Sequence, residues 1–418
     1  MRVLIFPLGS AGDVHPFLGV GAALAARGHD VIVATSGYFE PVVRKTGLQF
    51  ASLGTAQDFE KVTQDPNLWH PKKAFETVVR KGIEPGYART LEIAREFHQP
   101  GNTVIVGSTL AIGGRTAAEI VGAPFVTVHL APSIFFSIDK PPLFAGMWWG
   151  PRVPRFATRF QFWVAKRLTD GIVLPSLNKF RAAHGLAPAS DVVRQWWHSP
   201  RRVIGLFPAW FGPPQRDWPP QVRLTGFPMF DEQGHREPPE GLEEFLRAGD
   251  APVIFTPGSA MAHGQDFFRQ SVRACTLLGR RAILLSQFPE TIPRDLPPSV
   301  RHFRYIPFSE VFPRAAALVS HGGIGTTAQA LRAGIPHLVQ HMAHDQLDNA
   351  QRLVELGVGE SLAAAKYRAP AVAEKLGRLL KDPAVKQRSA ELAARFEPEK
   401  WMAQTCDLIV EAGQQAGP

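Results

Sequence analysis

Two stretches of the sequence set reactive side chains at spacings that suit the binding of a phosphorylated sugar. Ser320-His321-Gly322-Gly323-Ile324-Gly325-Thr326-Thr327 follows a short apolar run and opens a helical stretch. Glycines let the backbone approach a ligand closely, and a helix N-terminus offers free N–H groups and a positive dipole. An imidazole and hydroxyls beside them suit a diphosphate, while a glycine turn by itself is as readily structural. The run lacks the Lys-Ser/Thr ending of a P-loop and does not match the dinucleotide fingerprint. A His-Gly-Gly run also builds the oxyanion hole of some esterases, but the sequence has no G-x-S-x-G nucleophile turn, which excludes that hydrolase chemistry. Further on, His344-Asp345-Gln346-Leu347-Asp348-Asn349-Ala350 sets a carboxylate beside an amide, groups fit for neighbouring hydroxyls of a sugar. Taken singly, this segment reads equally as a helix start with an Asp favoured by the dipole.

The elements that must position these groups alternate between short apolar runs and helices. Val3 to Leu8 read as a strand followed by a glycine turn, Phe17 to Arg27 as a helix ended by Gly28, and Val31 to Thr35 as the next strand. Val253 to Thr256 are a strand, Pro257-Gly258-Ser259 a turn, and Gln265 to Leu278 a helix ended by Gly279. Ala282 to Leu285, Phe303 to Ile306, Leu318 to Ser320 and His337 to Val339 read as further strands. Such alternation indicates an α/β class with parallel sheets buried on both faces. The chain's 418 residues suffice for more than one core. Prolines crowd between Pro208 and Pro239, and the acidic stretch Glu240 to Asp250 follows. This places a linker at 226–250, between an N-terminal domain at 1–225 and a C-terminal domain at 251–418. The last helix, about 400–415, is a candidate to pack back on the N-terminal domain.

Composition is that of a globular protein, with 45% hydrophobic and 20% charged residues. The two cysteines, Cys275 and Cys406, exclude a disulfide framework and a cysteine-rich zinc site. Ile120 to Ile138 carries no Asp, Glu, Lys or Arg, yet Pro124, His129 and Pro132 make it buried strand and loop rather than a membrane span. The start has no secretory pattern, so a cytoplasmic protein is expected. The net charge of +9 lies wholly in the first half, concentrated between Lys140 and Arg181, where Asp170 is the lone acid. That balance fits a solvated face, an anionic ligand or peripheral contact with an anionic inner membrane. Nucleic acid is not expected, because no motif with interleaved aromatics accompanies the charge.

In combination, the glycine-rich helix start, the Gly334-Ile335-Pro336 turn and the His-Asp-Gln-x-x-Asn-Ala segment resemble the nucleotide-sugar signature of family 1 glycosyltransferases. The resemblance implies the GT-B fold, two Rossmann-like doubly wound domains facing a cleft. Tyr305-Ile306-Pro307 resembles the family's base-binding turn and Pro257-Gly258-Ser259 its phosphate-side turn. Gly9-Ser10-Ala11-Gly12-Asp13-Val14-His15-Pro16 is similar to the acceptor-side loop of bacterial members. Asp65-Pro66-Asn67-Leu68-Trp69, Gln195-Trp196-Trp197-His198-Ser199-Pro200, Leu206-Phe207-Pro208-Ala209-Trp210-Phe211 and Thr225-Gly226-Phe227-Pro228-Met229-Phe230-Asp231 resemble the rhamnosyltransferases of rhamnolipid synthesis.

The resemblance carries over residue by residue. It implies that His321, Gly323, Gly325 and Thr326, with Ser259, hold the donor diphosphate. Ile306 pairs with the pyrimidine through its backbone while Tyr305 stacks nearby, and Asp345 and Gln346 hold the sugar. Where many relatives carry a ribose-binding Glu this chain has Gln329, which tilts the donor towards deoxythymidine rather than uridine diphosphate. Asp13 stands where relatives carry the catalytic base, with His15 as the competing base and a helix cap as the structural alternative for Asp13.

Helix Arg155 to Leu168 gathers Phe156, Phe160, Trp163, Val164 and Leu168 on one face, which is expected to be core. The alternative makes Phe160 and Trp163, with Trp148 and Trp149, the binding surface of an apolar, anionic acceptor. The expected activity is an inverting, metal-independent transfer of a sugar, with dTDP-L-rhamnose as co-substrate and no cofactor. The acceptor would be a lipid-like hydroxylated molecule such as 3-(3-hydroxyalkanoyloxy)alkanoate. No Asp-x-Asp triplet of the kind metal-dependent transferases use is present. The alternatives are a UDP-sugar-dependent transferase acting on another lipid or natural product, an epimerase of the same fold, and a non-catalytic transferase-like auxiliary protein.

Overall fold

The central strands of this chain are short, apolar and buried on both faces, the pattern that only helices on either side of a parallel sheet can satisfy. A computed structural model describes residues 1–144, 153–231, 239–259 and 261–414. The chain divides into two compact units, Met1–Phe230 with Glu397–Pro418, and Asp231–Phe396.

The first unit holds a seven-stranded sheet in the order β3-β2-β1-β4-β5-β6-β7. Its strands are β1 (Arg2–Phe6), β2 (Asp30–Ser36), β3 (Gln49–Gly54), β4 (Thr103–Ser108), β5 (Phe125–His129), β6 (Arg202–Gly205) and β7 (Val222–Leu224). All pair in parallel, for example Val3 with Val31 on one side and Val104 on the other. The second unit holds a six-stranded parallel sheet, β10-β9-β8-β11-β12-β13. Its strands are β8 (Val253–Thr256), β9 (Ala282–Leu285), β10 (Val300–Phe303), β11 (Ala317–Ser320), β12 (His337–His341) and β13 (Gly359–Ala363). Strand order reverses between β1 and β4 in one sheet and between β8 and β11 in the other. In doubly wound sheets, ligands bind at the carboxyl ends of the strands at such a reversal.

Each unit has its own core. Val3, Ile5, Phe17, Val104 and Ile204 are fully buried in the first, joined by Cys406, Ile409 and Ala412 of helix Pro398–Gln414. That helix is tied down by Trp401, packed so tightly on Gly226 that a Cβ there would lie 1.9 Å from the indole. The second core is built on Val253, Phe255, Leu284, Val319 and Tyr367. Burying one such large apolar side chain contributes about 1.5–3 kcal/mol. The apolar span 120–138 folds as buried β5 and a short turn at Pro132–Ile134. Among the described residues no helix is long and apolar enough to cross a membrane.

Three elements depart from expectation. The first helix spans Ala11–Ala26 and so starts ahead of Phe17, because Ser10 and Asp13 form a capping box that nucleates it despite Pro16. Strand β10 lies at Val300–Phe303, in register with Ala282–Leu285 of β9, and Tyr305-Ile306 belongs to the loop beyond it. Helix Arg155–Ala182 outruns its expected end, and it buries Ala157, Phe162, Val173 and Leu177 instead of the aromatic face. Phe156, Phe160, Trp163 and Leu168 are exposed at 73%, 48%, 54% and 64%, so that face is surface and not core.

Candidate active site

In the second unit the reversal point brings together the loops that follow β8 and β11. Gly258 has φ +101° and Gly322 φ +86°, values that side chains rarely adopt. The His321 imidazole is sandwiched between glycines: a Cβ at Gly258 would lie 2.7 Å from its Cε1, and one at Gly323 would lie 2.6 Å from its Nε2. The Pro257-Gly258-Ser259 turn and the His321-Gly322-Gly323 run are therefore one cradle. Gly323 caps helix Ile324–Ala333, whose first turn carries Gly325 and Thr326. Burial, with a smaller contribution from His344, holds the His321 pKa down at about 4, so the ring is neutral at pH 7. Its Nδ1 is buried without a hydrogen-bond partner. Gln287 Nε2 donates to the Ser259 carbonyl at 2.6 Å and fixes the turn from the loop after β9.

The loop after β12 reaches the same place. His344, at φ +56°, is the non-glycine residue with a left-handed backbone among the described residues. Such a conformation is uncommon and concentrates at functional turns. Asp345 follows it and caps helix Gln346–Glu355. Gln346 Oε1 accepts from the N–H groups of Met342 and Ala343 at 2.8 and 3.1 Å, which closes the turn. Asn349, fully buried, joins the two glycine-rich and acidic segments. Its Nδ2 donates to the Gly322 carbonyl at 2.9 Å and to Asp345 Oδ2 at 2.7 Å. Burial raises the Asp345 pKa to about 6, against the lowering effect of the Asn349 bond and with a smaller push from Asp348. Asp348 itself is held in a buried ion pair with Arg352 at 2.7 Å.

Thus His321, Gly323, Ser259, Asp345 and Gln346 come together on one end of this sheet. Gln329 lies one turn along the helix from Thr326 and is buried, at 8% exposure. Tyr305 and buried Ile306 sit beyond β10, at the sheet's edge. The pairing role of Asn349 is what sequence reasoning missed; its signal was its place in the same short segment as Asp345.

In the first unit, Asp13 and His15 lie on the opening turns of helix Ala11–Ala26, beside the β1/β4 reversal. Asp13 Oδ2 accepts from Ser10 N at 2.7 Å and Ser10 Oγ at 3.0 Å. Gly9, at φ +129°, is required there, since a Cβ would lie 2.3 Å from that oxygen. The cap geometry therefore exists, and it also holds the carboxylate in one orientation. His15 packs edge-on against Phe230, with ring centroids 5.9 Å apart. Leu8 N donates to Ser108 Oγ at 3.3 Å and joins the two loops. Past Ser108, Thr109 Oγ1 is 2.8 Å from His129 Nδ1, and His129 Nε2 is 3.1 Å from His198 Nδ1. Burial keeps both rings neutral, holding the His198 pKa down at about 4 and that of His129 well below the ordinary imidazole value. Arg115 Nη1 donates to the carbonyls of Gln195, Trp196 and His198, so the Gln195–Pro200 segment is locked to this end of the sheet. Phe160 and Trp163 stack on each other on the exposed face of helix Arg155–Ala182, with centroids 5.9 Å apart. Trp148 and Trp149 lie outside the described residues.

Comparison with known proteins gives the same outline. Residues 3–136 match the Glycosyltransferase family 28 N-terminal domain, and residues 284–406 match the Erythromycin biosynthesis protein CIII-like, C-terminal domain. The O-mycaminosyltylonolide 6-deoxyallosyltransferase of Streptomyces fradiae is 30% identical over 98% of this chain and 97% of its own length. A sterol 3-beta-glucosyltransferase of Pichia angusta is 25% identical over 94% of this chain, which spans 32% of that protein. Among solved structures, the kitacinnamycin glycotransferase superposes with a TM-score of 0.72 at 20% identity, covering 98% of each chain. The calicheamicin glycosyltransferase superposes with a TM-score of 0.70 at 21% identity over the whole of both chains. Both share the fold of two parallel-sheet domains.

Proposed function

The chain belongs to the family 1 glycosyltransferases of GT-B fold, enzymes that transfer a sugar from a nucleotide-sugar co-substrate; on that premise we propose that the sugar is L-rhamnose, taken from dTDP-L-rhamnose and passed with inversion, without a metal, to a hydroxyl of a lipid-like acceptor such as 3-(3-hydroxyalkanoyloxy)alkanoate. The observation that carries this reading is the cradle around His321. A buried, unpartnered imidazole nitrogen, glycines that admit no Cβ and a helix N-terminus converge where a diphosphate would sit. A 6-deoxyhexose donor is favoured by the 6-deoxyallosyltransferase, a relative that matches along almost its full length. The thymidine base is favoured by Gln329, an amide that suits a single ribose hydroxyl better than a pair.

Roles follow from position. His321 and the N–H groups opening helix Ile324–Ala333 stabilise charge on the departing diphosphate, with Gly323, Gly325, Thr326 and Ser259 lining its path. A neutral imidazole donates one N–H, so the low pKa of His321 is compatible with that role. Asp345 and Gln346 hold the sugar, while Tyr305 and Ile306 take the base. Asp13, oriented by Ser10, removes the acceptor's proton as its oxygen attacks the anomeric carbon, with His15 as the competing base. The bond formed is acceptor oxygen to anomeric carbon, and the bond broken is anomeric carbon to diphosphate oxygen.

The test is a panel of dTDP- and UDP-sugars, each incubated with 3-(3-hydroxyalkanoyloxy)alkanoate and read by mass spectrometry. Rhamnosylated product from dTDP-L-rhamnose, undiminished by excess EDTA, is the expected result. Transfer from UDP-sugars alone, or a rate lost to EDTA and restored by magnesium, would refute the respective part of the proposal.

A further inference from the structure

Large apolar side chains at the surface of this protein gather on one helix. Among the described residues, the exposed ones are Phe156, Phe160, Trp163 and Leu168 of helix Arg155–Ala182, with only Leu277 and Val354 elsewhere. Phe156, Phe160, Trp163 and Arg167 recur at helical spacing and form one stripe. Phe160 and Trp163 stack on each other, and the Arg167 guanidinium lies 5.4 Å from the Trp163 ring centroid. Exposing that much aromatic surface is costly in water unless something covers it.

Charge identifies what covers it. The cations of this helix are Arg155, Arg159, Lys166, Arg167, Lys179 and Arg181, and its one acid is Asp170. Asp170 does not face outward as a free charge: it pairs with Lys166 and accepts from Val192 N at 3.0 Å. Arg155, at the start of the helix, pairs with Asp139 at 2.8 Å, while Arg159 and Arg167 are exposed beside the aromatics, so the charge flanking the stripe itself is positive. Aromatic and aliphatic side chains ringed by arginines, on a helix too polar to span, are the composition of a segment that lies in a membrane interface. Trp163 in particular has the ring type that settles at headgroup level.

We infer that the exposed stripe of helix Arg155–Ala182, Phe156, Phe160 and Trp163 flanked by Arg159 and Arg167, docks the protein on the surface of an anionic lipid bilayer. The aromatics enter the headgroup boundary and the guanidinium groups pair with lipid phosphates. The inference is independent of the sugar-transfer proposal, since neither the donor cradle nor Asp13 takes part in it.

The experiment is co-sedimentation of the full chain with vesicles of phosphatidylcholine alone and of phosphatidylcholine mixed with phosphatidylglycerol. Binding should favour the anionic vesicles and weaken as salt is raised. Each basic side chain near such a surface is worth about a fivefold gain. Arg159→Glu with Arg167→Glu should therefore lower the vesicle partition coefficient by at least ~25-fold. Phe160→Ser with Trp163→Ser should lower it at least ~tenfold while the melting temperature holds. Equal binding to both vesicle types, or double variants that bind like the wild type, would overturn the inference. So would a dimer in solution that the Ser variants abolish without any vesicle binding, because a second copy would then be the cover. A rise in KM for a short, monomeric hydroxy-acid acceptor, with vesicle binding unchanged, would instead assign the stripe to the acceptor.

Discussion

At the scale of single residues, Asn349 is the joint of the candidate donor site. One amide holds the Gly322 carbonyl and the Asp345 carboxylate in fixed relation, fully buried. Asn349→Ala removes both bonds and leaves a buried carbonyl and carboxylate unsatisfied, at about 1–3 kcal/mol each. Donor affinity measured calorimetrically should fall at least tenfold, whereas a drop in melting temperature with affinity intact would restrict Asn349 to stability. Asp345 predicts a pH signature. Its folded pKa, raised to about 6, lies above the ordinary 3.8, so the protonated form is favoured in the folded chain. Its contribution to stability is full below about pH 4 and is lost as pH rises through 6. The sugar-binding role proposed for Asp345 works the other way, since the ionised carboxylate is the better acceptor for hydroxyls. Donor kcat/KM should thus fall as pH drops through about 6, and Asp345→Asn should flatten that limb while melting higher than the wild type at pH 7. An unchanged limb in the variant would remove Asp345 from the site. Sequence reading found Asp345 and Gln346 by their residue types, but not that Gln346 spends its oxygen on Met342 and Ala343. A side chain's partner is a fact of tertiary geometry, which residue type does not encode.

At the scale of elements, what could be read locally was read well and what depended on pairing was not. Gln265–Leu278 and Ala282–Leu285 lie where periodicity and the stop at Gly279 put them. Strand β10 was displaced because Phe303 to Ile306 is as apolar as Val300 to Phe303, and only the register with β9 decides between them. The aromatic face of helix Arg155–Ala182 misled for a related reason, since amphipathic spacing says that a face is apolar and not what lies against it. The expected helix Phe17 to Arg27 begins too late, because the Ser10–Asp13 box nucleates the turn ahead of Pro16. That box frames a two-way test of Asp13. As a general base its loss should cost about 10²–10⁴ in turnover. As a cap alone it should cost little, because Asn caps nearly as well as Asp. Asp13→Asn with a normal melting temperature and a collapsed kcat is the expected outcome; a kcat near wild type, or a larger loss in His15→Ala, would move the base elsewhere. The cradle elements give a parallel expectation. Gly258→Ala forces a left-handed side-chain residue, costing about 1–2 kcal/mol, and drives its Cβ into His321. Protection by deoxythymidine diphosphate in thermal unfolding should vanish in that variant before the fold does.

At the scale of the whole molecule, the chain leaves the first unit at Phe230 and returns to it at Glu397. The sequence marks the exit by its prolines, but the return has only an amphipathic helix as its signal, one that either unit could bury. Trp401 on Gly226, the Thr405 hydroxyl donating to that of Thr225 at 2.9 Å, and the Arg27–Asp407 ion pair at 2.7 Å fix where it goes. Glycine at 226 is therefore a packing residue: any side chain would occupy the space of the indole. Helix Pro398–Gln414 thus completes the core of the first unit, and the second unit, Asp231–Phe396, keeps a core in which that helix takes no part. Trp401→Ala opens a cavity in the first unit alone, at about 3–5 kcal/mol for a buried tryptophan. In urea the first unit of this variant should unfold at lower denaturant than in the wild type, while deoxythymidine diphosphate still binds within about twofold of the wild type, a change under 0.5 kcal/mol. Loss of nucleotide binding in parallel with stability would mean that the second unit does not hold the donor cradle by itself. Retained binding would localise the cradle's support to β8, β11, β12 and the helices that follow them.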